Sequence, residues 1–167
     1  MQFQFLINYF NNKNIISGAI IYGIGDSIGS LILNEFSWVR LIGLALIGGT
    51  VYAIEIPAFF DWLETYSKKF SLKKSQAIKT ILTTLFFNPI WIARHFIFIA
   101  LFSNNFASIN LNLLHIAWLA YITPLPIALF ANYLIQNKVN LTWRFPVSAI
   151  FSALMVIYFA LSKVIFN

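Results

Sequence analysis

The stretch that decides the fold runs from residue 38 to residue 64 and reads WVRLIGLALIGGTVYAIEIPAFFDWLE. Arg40 lies near its start. The following residues are mainly apolar for about 20 positions, the length that an α-helix needs to cross a bilayer. It closes in an aromatic and acidic cluster at 59–64, which suits the boundary between membrane and water. Basic residues follow directly, namely Lys68, Lys69, Lys73 and Lys74. The stretch therefore predicts one span of a polytopic membrane protein.

The composition of the chain points to the same solvent. Of the 167 residues, 60% are hydrophobic and 10% are charged, and the mean hydropathy is +0.79. Soluble domains average about 45–50% apolar and about 25% charged residues, so a soluble fold of this composition would expose large apolar patches. We therefore predict that the chain lies in a bilayer. The absence of cysteine excludes disulfides and a thiol nucleophile.

Five apolar runs along the chain are long enough to be spans. They cover about residues 15–33, 38–60, 78–102, 111–135 and 145–166. The residues before them, 1–14, are predicted to form an interfacial lead. We predict an all-α fold, a polytopic transmembrane helical bundle of four to five spans, in a single domain over residues 15–166. The four-span version places one run partly in the interface.

The basic side chains predict the orientation. With the amino terminus inside, the outer segments hold only Lys163, whereas the inner segments hold eight basic residues: Lys13, Lys68, Lys69, Lys73, Lys74, Lys79, Lys138 and Arg144. This asymmetry follows the positive-inside rule and explains the net charge of +6 without a nucleic-acid partner, which would need a basic face on a folded domain. We predict a multi-pass membrane protein, and the abundance of Asn, Ile and Lys is compatible with an AT-rich, bacterial source and hence a bacterial inner membrane.

Polar and small residues inside the spans are the candidate functional positions. Intramembrane charges are expensive and are often functional or ion-paired, and here they are Asp26, Arg40, Glu55, Arg94 and His95. Because Arg94 lies too deep to reach an interface, we predict that it meets Asp26 or Glu55. The whole set could lock the bundle by ion pairing or line a hydrated pore, and the residues leave both readings open. Close helix packing is predicted at Gly18, Gly25, Gly29 and Gly48.

Catalytic and metal chemistry find no support in the residues. His95 and His115, the two histidines, could in principle join Asp26 and Glu55 in a metal site, but their spacing does not favour one. Neither a nucleotide-binding loop, a dinucleotide fingerprint nor an HExxH pair occurs. Nothing positions a nucleophile for a hydrolase. We therefore predict no enzyme, no metal and no cofactor.

An ordered series of short motifs follows the spans. Gly23-Ile24-Gly25-Asp26 lies in the first span, and the remaining positions are Arg40, Gly48, Phe59-Phe60, Lys79, Pro89, Pro124, Asn132-Tyr133, Arg144 and Leu161-Ser162. This series resembles the Mpv-seventeen family of membrane proteins, which includes the peroxisomal membrane protein of twenty-two kilodaltons. Two positions depart from the family pattern. Ala53-Ile54 stand where the family has Gly-Pro, and Thr83-Thr84 stand where it has Asp-Gln.

The resemblance implies a small helical protein of mitochondrial or peroxisomal type, usually described with four spans and a channel-like role. The predicted function is accordingly an integral membrane channel or permeability protein for small solutes or ions. The alternative is a structural or assembly protein whose intramembrane charges only stabilise the bundle. The predicted partners are the lipid bilayer and an unidentified small solute or ion, and a homo-oligomer is compatible with the pattern.

Overall fold

Six helices make up the described part of the chain. The structure is a computed structural model that describes Tyr9 and residues 11–166, with side chains up to Leu161. No strand occurs in this part, and the predicted all-α transmembrane fold is confirmed. The helices are α1 Asn12–Ile32, α2 Trp38–Ser67, α3 Leu72–Phe102, α4 Leu111–Ile122, α5 Leu125–Lys138 and α6 Leu141–Phe166. The predicted interfacial lead falls mostly outside the described residues.

The span count agrees with the predicted four to five. Four helices, α1, α2, α3 and α6, are each long and apolar enough to cross a bilayer. α4 and α5 pass the same test only together, and they are bent by 66° at the break between them. Pro124 stands at this break. Since proline donates no backbone hydrogen bond and restricts the residue before it, the fourth run cannot continue as one straight helix.

The helix ends differ from the predicted ones. α1 begins at Asn12 rather than 15, because the Asn11 side chain caps it by accepting a 3.0 Å hydrogen bond from the backbone N–H of Asn14. α2 continues to Ser67, so the aromatic and acidic cluster at 59–64 is helical. The residues between the last two predicted runs, 136–144, are largely helix, since α5 ends at Lys138 and α6 begins at Leu141. Polar side chains at the ends of a span extend the helix into the interface without breaking it.

The outer face of α1 shows how the helix meets lipid. The apolar side chains along it are 40–58% exposed and recur at helical spacing: Ile16, Ile20, Ile24, Ile28 and Leu31. The opposite face is buried and holds the small and polar residues, including Asp26. In a soluble protein the exposed face of a helix is polar and the buried face is apolar. This distribution is typical of a helix whose solvent is the hydrocarbon of a bilayer.

The described residues form two compact units. The first unit comprises residues up to 59 and from 142 onward, and so contains α1, the first part of α2, and nearly all of α6. The second unit comprises residues 60–141, which are the end of α2 with α3, α4 and α5. In the first unit, α1 and α2 form a hairpin around a turn at 33–37, in which Asn34 adopts a positive φ of 57°. In the second unit, α5 packs against the first half of α3 and α4 against its second half.

Both long inner helices contain a π-helical turn. In α2 it covers Gly48–Tyr52, and in α3 it covers Leu82–Phe87. A proline follows each turn within the same helix, Pro57 in α2 and Pro89 in α3. Proline removes an N–H from the hydrogen-bond ladder and crowds the carbonyl four residues before it. Both helices nevertheless continue past their prolines, to Ser67 and to Phe102.

The connections at the two ends of α3 offer a direct test of the predicted orientation. Ser71 and Asn105 lie in these connections, both are exposed, and the chain has no native cysteine. We expect Ser71→Cys and Asn105→Cys to react with a membrane-impermeant maleimide from opposite sides of sealed vesicles. Ser71 should label from the lysine-rich side. Labelling of both variants from the same side would contradict the assignment of α3 as a span.

Candidate functional site

A buried ion pair joins α1 to α2. The Nε and Nη2 atoms of Arg40 donate to the two carboxylate oxygens of Asp26, each at 2.7 Å. The side chains are 8% and 2% exposed. Two parallel charge-assisted hydrogen bonds in this geometry make one of the strongest side-chain contacts in proteins. The hairpin brings the pair together, because Asp26 lies near the end of α1 and Arg40 in the first turn of α2.

A second acid, Glu35, lies near the guanidinium of this pair. The carboxylate of Glu35 lies 3.9 Å from Nη1 of Arg40, and its side chain is 53% exposed. Glu35 belongs to the turn of the hairpin, where its backbone N–H donates to the carbonyl of Ser30 at 2.8 Å. The guanidinium therefore meets a buried carboxylate and an exposed one. Water screens the exposed contact, so the buried pair dominates.

The other predicted intramembrane residues are spread over both units. Glu55 is half-buried in the α2 portion of the first unit. Arg94 and His95 are in α3 of the second unit, where His95 is 3% exposed and stacks on Trp91 with ring centroids 4.9 Å apart. The predicted pairing of Arg94 with an acid of the other unit stays a prediction. Asp26, however, already has both carboxylate oxygens bound by Arg40.

The predicted packing glycines lie at close helix contacts within the first unit. Gly18 of α1 faces the backbone of Gly48 in α2, so that a Cβ on either glycine would collide with the other residue. Gly25 and Gly29 face α6, against Ala153 and Val156. Next to the Gly18–Gly48 contact, the rings of Tyr22 and Tyr52 meet with centroids 4.8 Å apart. These contacts hold α1 between two neighbours.

The second unit contains a row of buried, uncharged polar side chains that we call the polar seam. Two hydrogen bonds cross it: Asn132 Nδ2 donates to Thr84 Oγ1 at 2.9 Å, and Asn137 Nδ2 donates to Thr80 Oγ1 at 3.2 Å. Along the seam, residue numbers increase on α5 as they decrease on α3, so the two helices run antiparallel. The seam comprises Thr80, Thr83 and Thr84 of α3 with Asn132, Gln136 and Asn137 of α5.

Several atoms of the polar seam lack a hydrogen bond. Among the described residues, Thr83 Oγ1, Gln136 Nε2, Gln136 Oε1 and Asn137 Oδ1 are buried without a partner. Thr83 is 1% exposed and Gln136 is fully buried. A buried polar group left unbonded costs about 1–3 kcal/mol in proteins, so native structures rarely keep one. Four such atoms lie in this one seam.

Thr83, whose hydroxyl is unbonded among the described residues, lies in the π turn of α3. A helical threonine usually donates its hydroxyl to the carbonyl four residues earlier, as Thr80 does to Gln76 at 3.0 Å. Thr83 is the second residue of the π turn Leu82–Phe87 and makes no such bond in the described structure. π turns occur frequently at functional sites because they redirect side chains. The same turn carries Thr84.

The lysine-rich end of the seam is neutralised by an ion pair. Lys79 lies one turn before Thr83, and its ammonium is 3.1 Å from a carboxylate oxygen of Glu64. The Lys79 side chain is 9% exposed and that of Glu64 is 29% exposed. The buried positive charge next to Thr80 is thus balanced locally, and Lys138, which follows Asn137, is exposed to solvent. The seam itself presents only hydroxyl and carboxamide groups.

The spacing of uncharged polar residues in the sequence indicates the seam, although the charged residues of the spans are more conspicuous. Thr80, Thr83 and Thr84 recur at helical spacing in an apolar run, and Asn132 and Gln136 are four residues apart in another. Such spacing puts polar groups on one face of each helix. The described residues contain no cluster of histidine, aspartate and glutamate suited to a metal ion. Comparisons with protein-family models, with curated proteins and with solved structures give no match to the chain.

Proposed function

We propose that the chain is an integral membrane permeability protein in which small solutes pass along the polar seam between α3 and α5. The observation that supports this best is the fully buried Gln136, whose carboxamide has no hydrogen-bond partner among the described residues. In hydrocarbon no water satisfies such a group, so polar side chains persist inside spans mainly where they serve a path or a partner. A purely structural seam would be expected to use all its bonds.

Two further features favour the same function. The π turn Leu82–Phe87 carries two threonines of the seam, and α5, the other helix of the seam, begins at the 66° break that follows α4. Irregular backbone at membrane depth is tolerated where it borders protein or a hydrated cavity, and discontinuous helices recur at the substrate sites of transporters. The resemblance to the Mpv-seventeen family, whose members are described as channel-like, also agrees with a permeability role.

The structural alternative is supported by a different observation in the first unit. Asp26 and Arg40 neutralise each other in a buried bidentate contact within one hairpin. A pair bound in this way holds helices together and leaves little free charge to select ions. We therefore assign the Asp26–Arg40 pair to the scaffold and the solute path to the second unit.

Reconstitution into liposomes tests the proposed function. We expect vesicles containing the protein to admit small solutes faster than empty vesicles, as measured by stopped-flow light scattering after an osmotic step. The double variant Thr83→Val/Gln136→Leu should slow this flux by roughly tenfold, the rate equivalent of about 1.4 kcal/mol and near the net worth of one hydrogen bond. Gln76→Leu is the control for the glutamine substitution. It makes the same glutamine-to-leucine change at a half-exposed position and should leave the flux unchanged.

The result that would contradict the proposed function is equally direct. The proposed function is wrong if vesicles that contain the folded parent protein pass neither neutral solutes nor ions faster than empty vesicles do. Planar-bilayer conductance covers the ions, and light scattering covers the neutral solutes. A silent protein in both assays would favour the structural alternative.

A further inference from the structure

We propose that the polar seam is a binding site for small uncharged solutes that carry both hydrogen-bond donors and acceptors, such as polyols and urea-like amides. Gln136 and Thr83 provide the contacts. This inference rests on the proposed function and names its substrate class: the path favours neutral solutes over ions.

The first step concerns how Gln136 is held. Asn132 lies one turn before it on α5 and Asn137 directly after it, and both asparagines donate across to threonines of α3, at 2.9 Å and 3.2 Å. These two bonds fix the spacing of the helices on either side of Gln136. A carboxamide offers two donor hydrogens and an acceptor oxygen. Gln136 uses none of them among the described residues, although it is fully buried.

The second step concerns the chemistry that would match the site. The unbonded atoms comprise one NH₂ donor, two amide oxygens that accept, and a hydroxyl that can do both. A solute with hydroxyl or amide groups can answer donors and acceptors at once. Neither a simple cation nor a simple anion can, because each would satisfy only half of the set. The mixture therefore favours a neutral hydrogen-bonding solute.

The third step concerns charge. An ion that sheds its hydration needs a charged ring or many carbonyl oxygens in return. The seam residues are threonines, asparagines and a glutamine, and the nearby Lys79 ammonium is bound to Glu64 at 3.1 Å. Moving an isolated charge into such surroundings is much more costly than moving a neutral polar molecule. The seam should therefore discriminate against ions.

Binding can be observed at Gln136 itself. The chain has four glutamines, at 2, 4, 76 and 136, so ¹⁵N-glutamine labelling of the full chain in nanodiscs gives few side-chain NH₂ signals. The signal of Gln136 is assigned by its absence from Gln136→Leu or, should that variant not fold, from Gln136→Asn. On addition of glycerol or urea we expect a saturable shift of the Gln136 signal. Choline chloride, of similar size but charged, should cause none.

The signal of Gln76 is the internal control, since its half-exposed side chain has the same chemistry. A shift that is linear in solute concentration and equal at Gln76 and Gln136 would reflect bulk solvent and would overturn the proposal. So would a saturable response of Gln136 to choline. The titration itself uses the parent protein, and a variant is needed only to assign the Gln136 signal.

Flux measurements separate failure of this inference from failure of the proposed function. Liposomes containing the protein should admit glycerol and urea with saturation and conduct potassium chloride no better than empty ones. Gln136→Leu should slow glycerol entry about tenfold, whereas Gln76→Leu should not. If potassium chloride passes and glycerol does not, the permeability function stands and the inference is overturned. If Gln136 shows a saturable shift but no solute crosses, the binding site stands and the permeability function fails.

Discussion

Replacing Arg40 by methionine is expected to destabilise the folded protein by about 3–5 kcal/mol, the usual cost of removing one partner from a buried ion pair. The change strands the Asp26 carboxylate, which is 2% exposed and receives two 2.7 Å bonds from the guanidinium. Methionine keeps much of the length of the arginine stem, so lost packing adds little. Reversible unfolding in mixed micelles, followed by tryptophan fluorescence, measures the difference in free energy.

Two further variants identify the cause of that loss. Asp26→Asn combined with Arg40→Met removes both charges and should recover much of the lost stability, because no buried charge is left without a partner. Glu35→Gln removes the exposed acid near the same guanidinium and should cost less than about 1 kcal/mol. If the double variant were as unstable as Arg40→Met alone, the Asp26–Arg40 pair would not be the source of the effect.

The Asp26–Arg40 pair shows what the sequence could and could not predict. Each residue stands out in an apolar run, and the sequence analysis identified both as intramembrane charges. Their pairing was missed, since Arg40 lies in the first turn of α2 and resembles an interfacial residue. Asp26 is six residues from the end of α1, or about 9 Å along the axis at 1.5 Å per residue. Arg40 lies two residues inside α2, about 3 Å along its axis, so its side chain covers the remaining distance. The contact also requires the two helices to be rotated so that these faces meet, and that rotation cannot be read from a single sequence.

The spans were predictable and their ends were not. Hydropathy over about 20 residues reflects the thickness of the bilayer, so the long apolar runs appear as helices in the structure. The ends depend on local caps such as Asn11, and on interfacial side chains that tolerate either helix or loop. The residues between the second and third predicted runs, 61–77, are therefore mainly helix, leaving only residues 68–71 between α2 and α3.

The polar seam marks another limit. The spacing of the threonines in α3 predicts a polar face, and the spacing of Asn132 and Gln136 predicts one in α5. Which of these faces meet depends on the register of two helices that are far apart in the chain. The sequence analysis concentrated on charged residues, which are individually more costly in a membrane. The uncharged polar residues of the seam stand out less in the sequence than the charged ones do. The structure nevertheless leaves their hydrogen-bonding groups without partners among the described residues.

The second large effect is expected at the crossing of α1 and α2, where Gly18→Ala should destabilise the protein by about 1–3 kcal/mol. A methyl group on Gly18 would collide with the carbonyl of Gly48, and a backbone group cannot rotate away as a side chain can. The helices must separate, which disturbs the neighbouring Tyr22–Tyr52 contact. This overpacking cost should outweigh the better helix propensity of alanine, about 1 kcal/mol. The same unfolding measurement in micelles gives the value.

Gly23→Ala is the matched control, because it makes the same change on the same helix. There the added methyl would meet the Cβ of Ala45 at 3.1 Å, a contact that a shift of a few tenths of an ångström relieves. Its stability should stay within about 1 kcal/mol of the parent.

The double variant Gly18→Ala/Gly48→Ala provides the sharper test of the crossing. Once the first methyl group has forced α1 and α2 apart, the second finds room, so the two costs should not add in full. Substitutions at independent sites, by contrast, add to within about 0.5 kcal/mol. Full additivity would mean that the two glycines do not share one contact, and the close approach of α1 and α2 at this point would then be wrong.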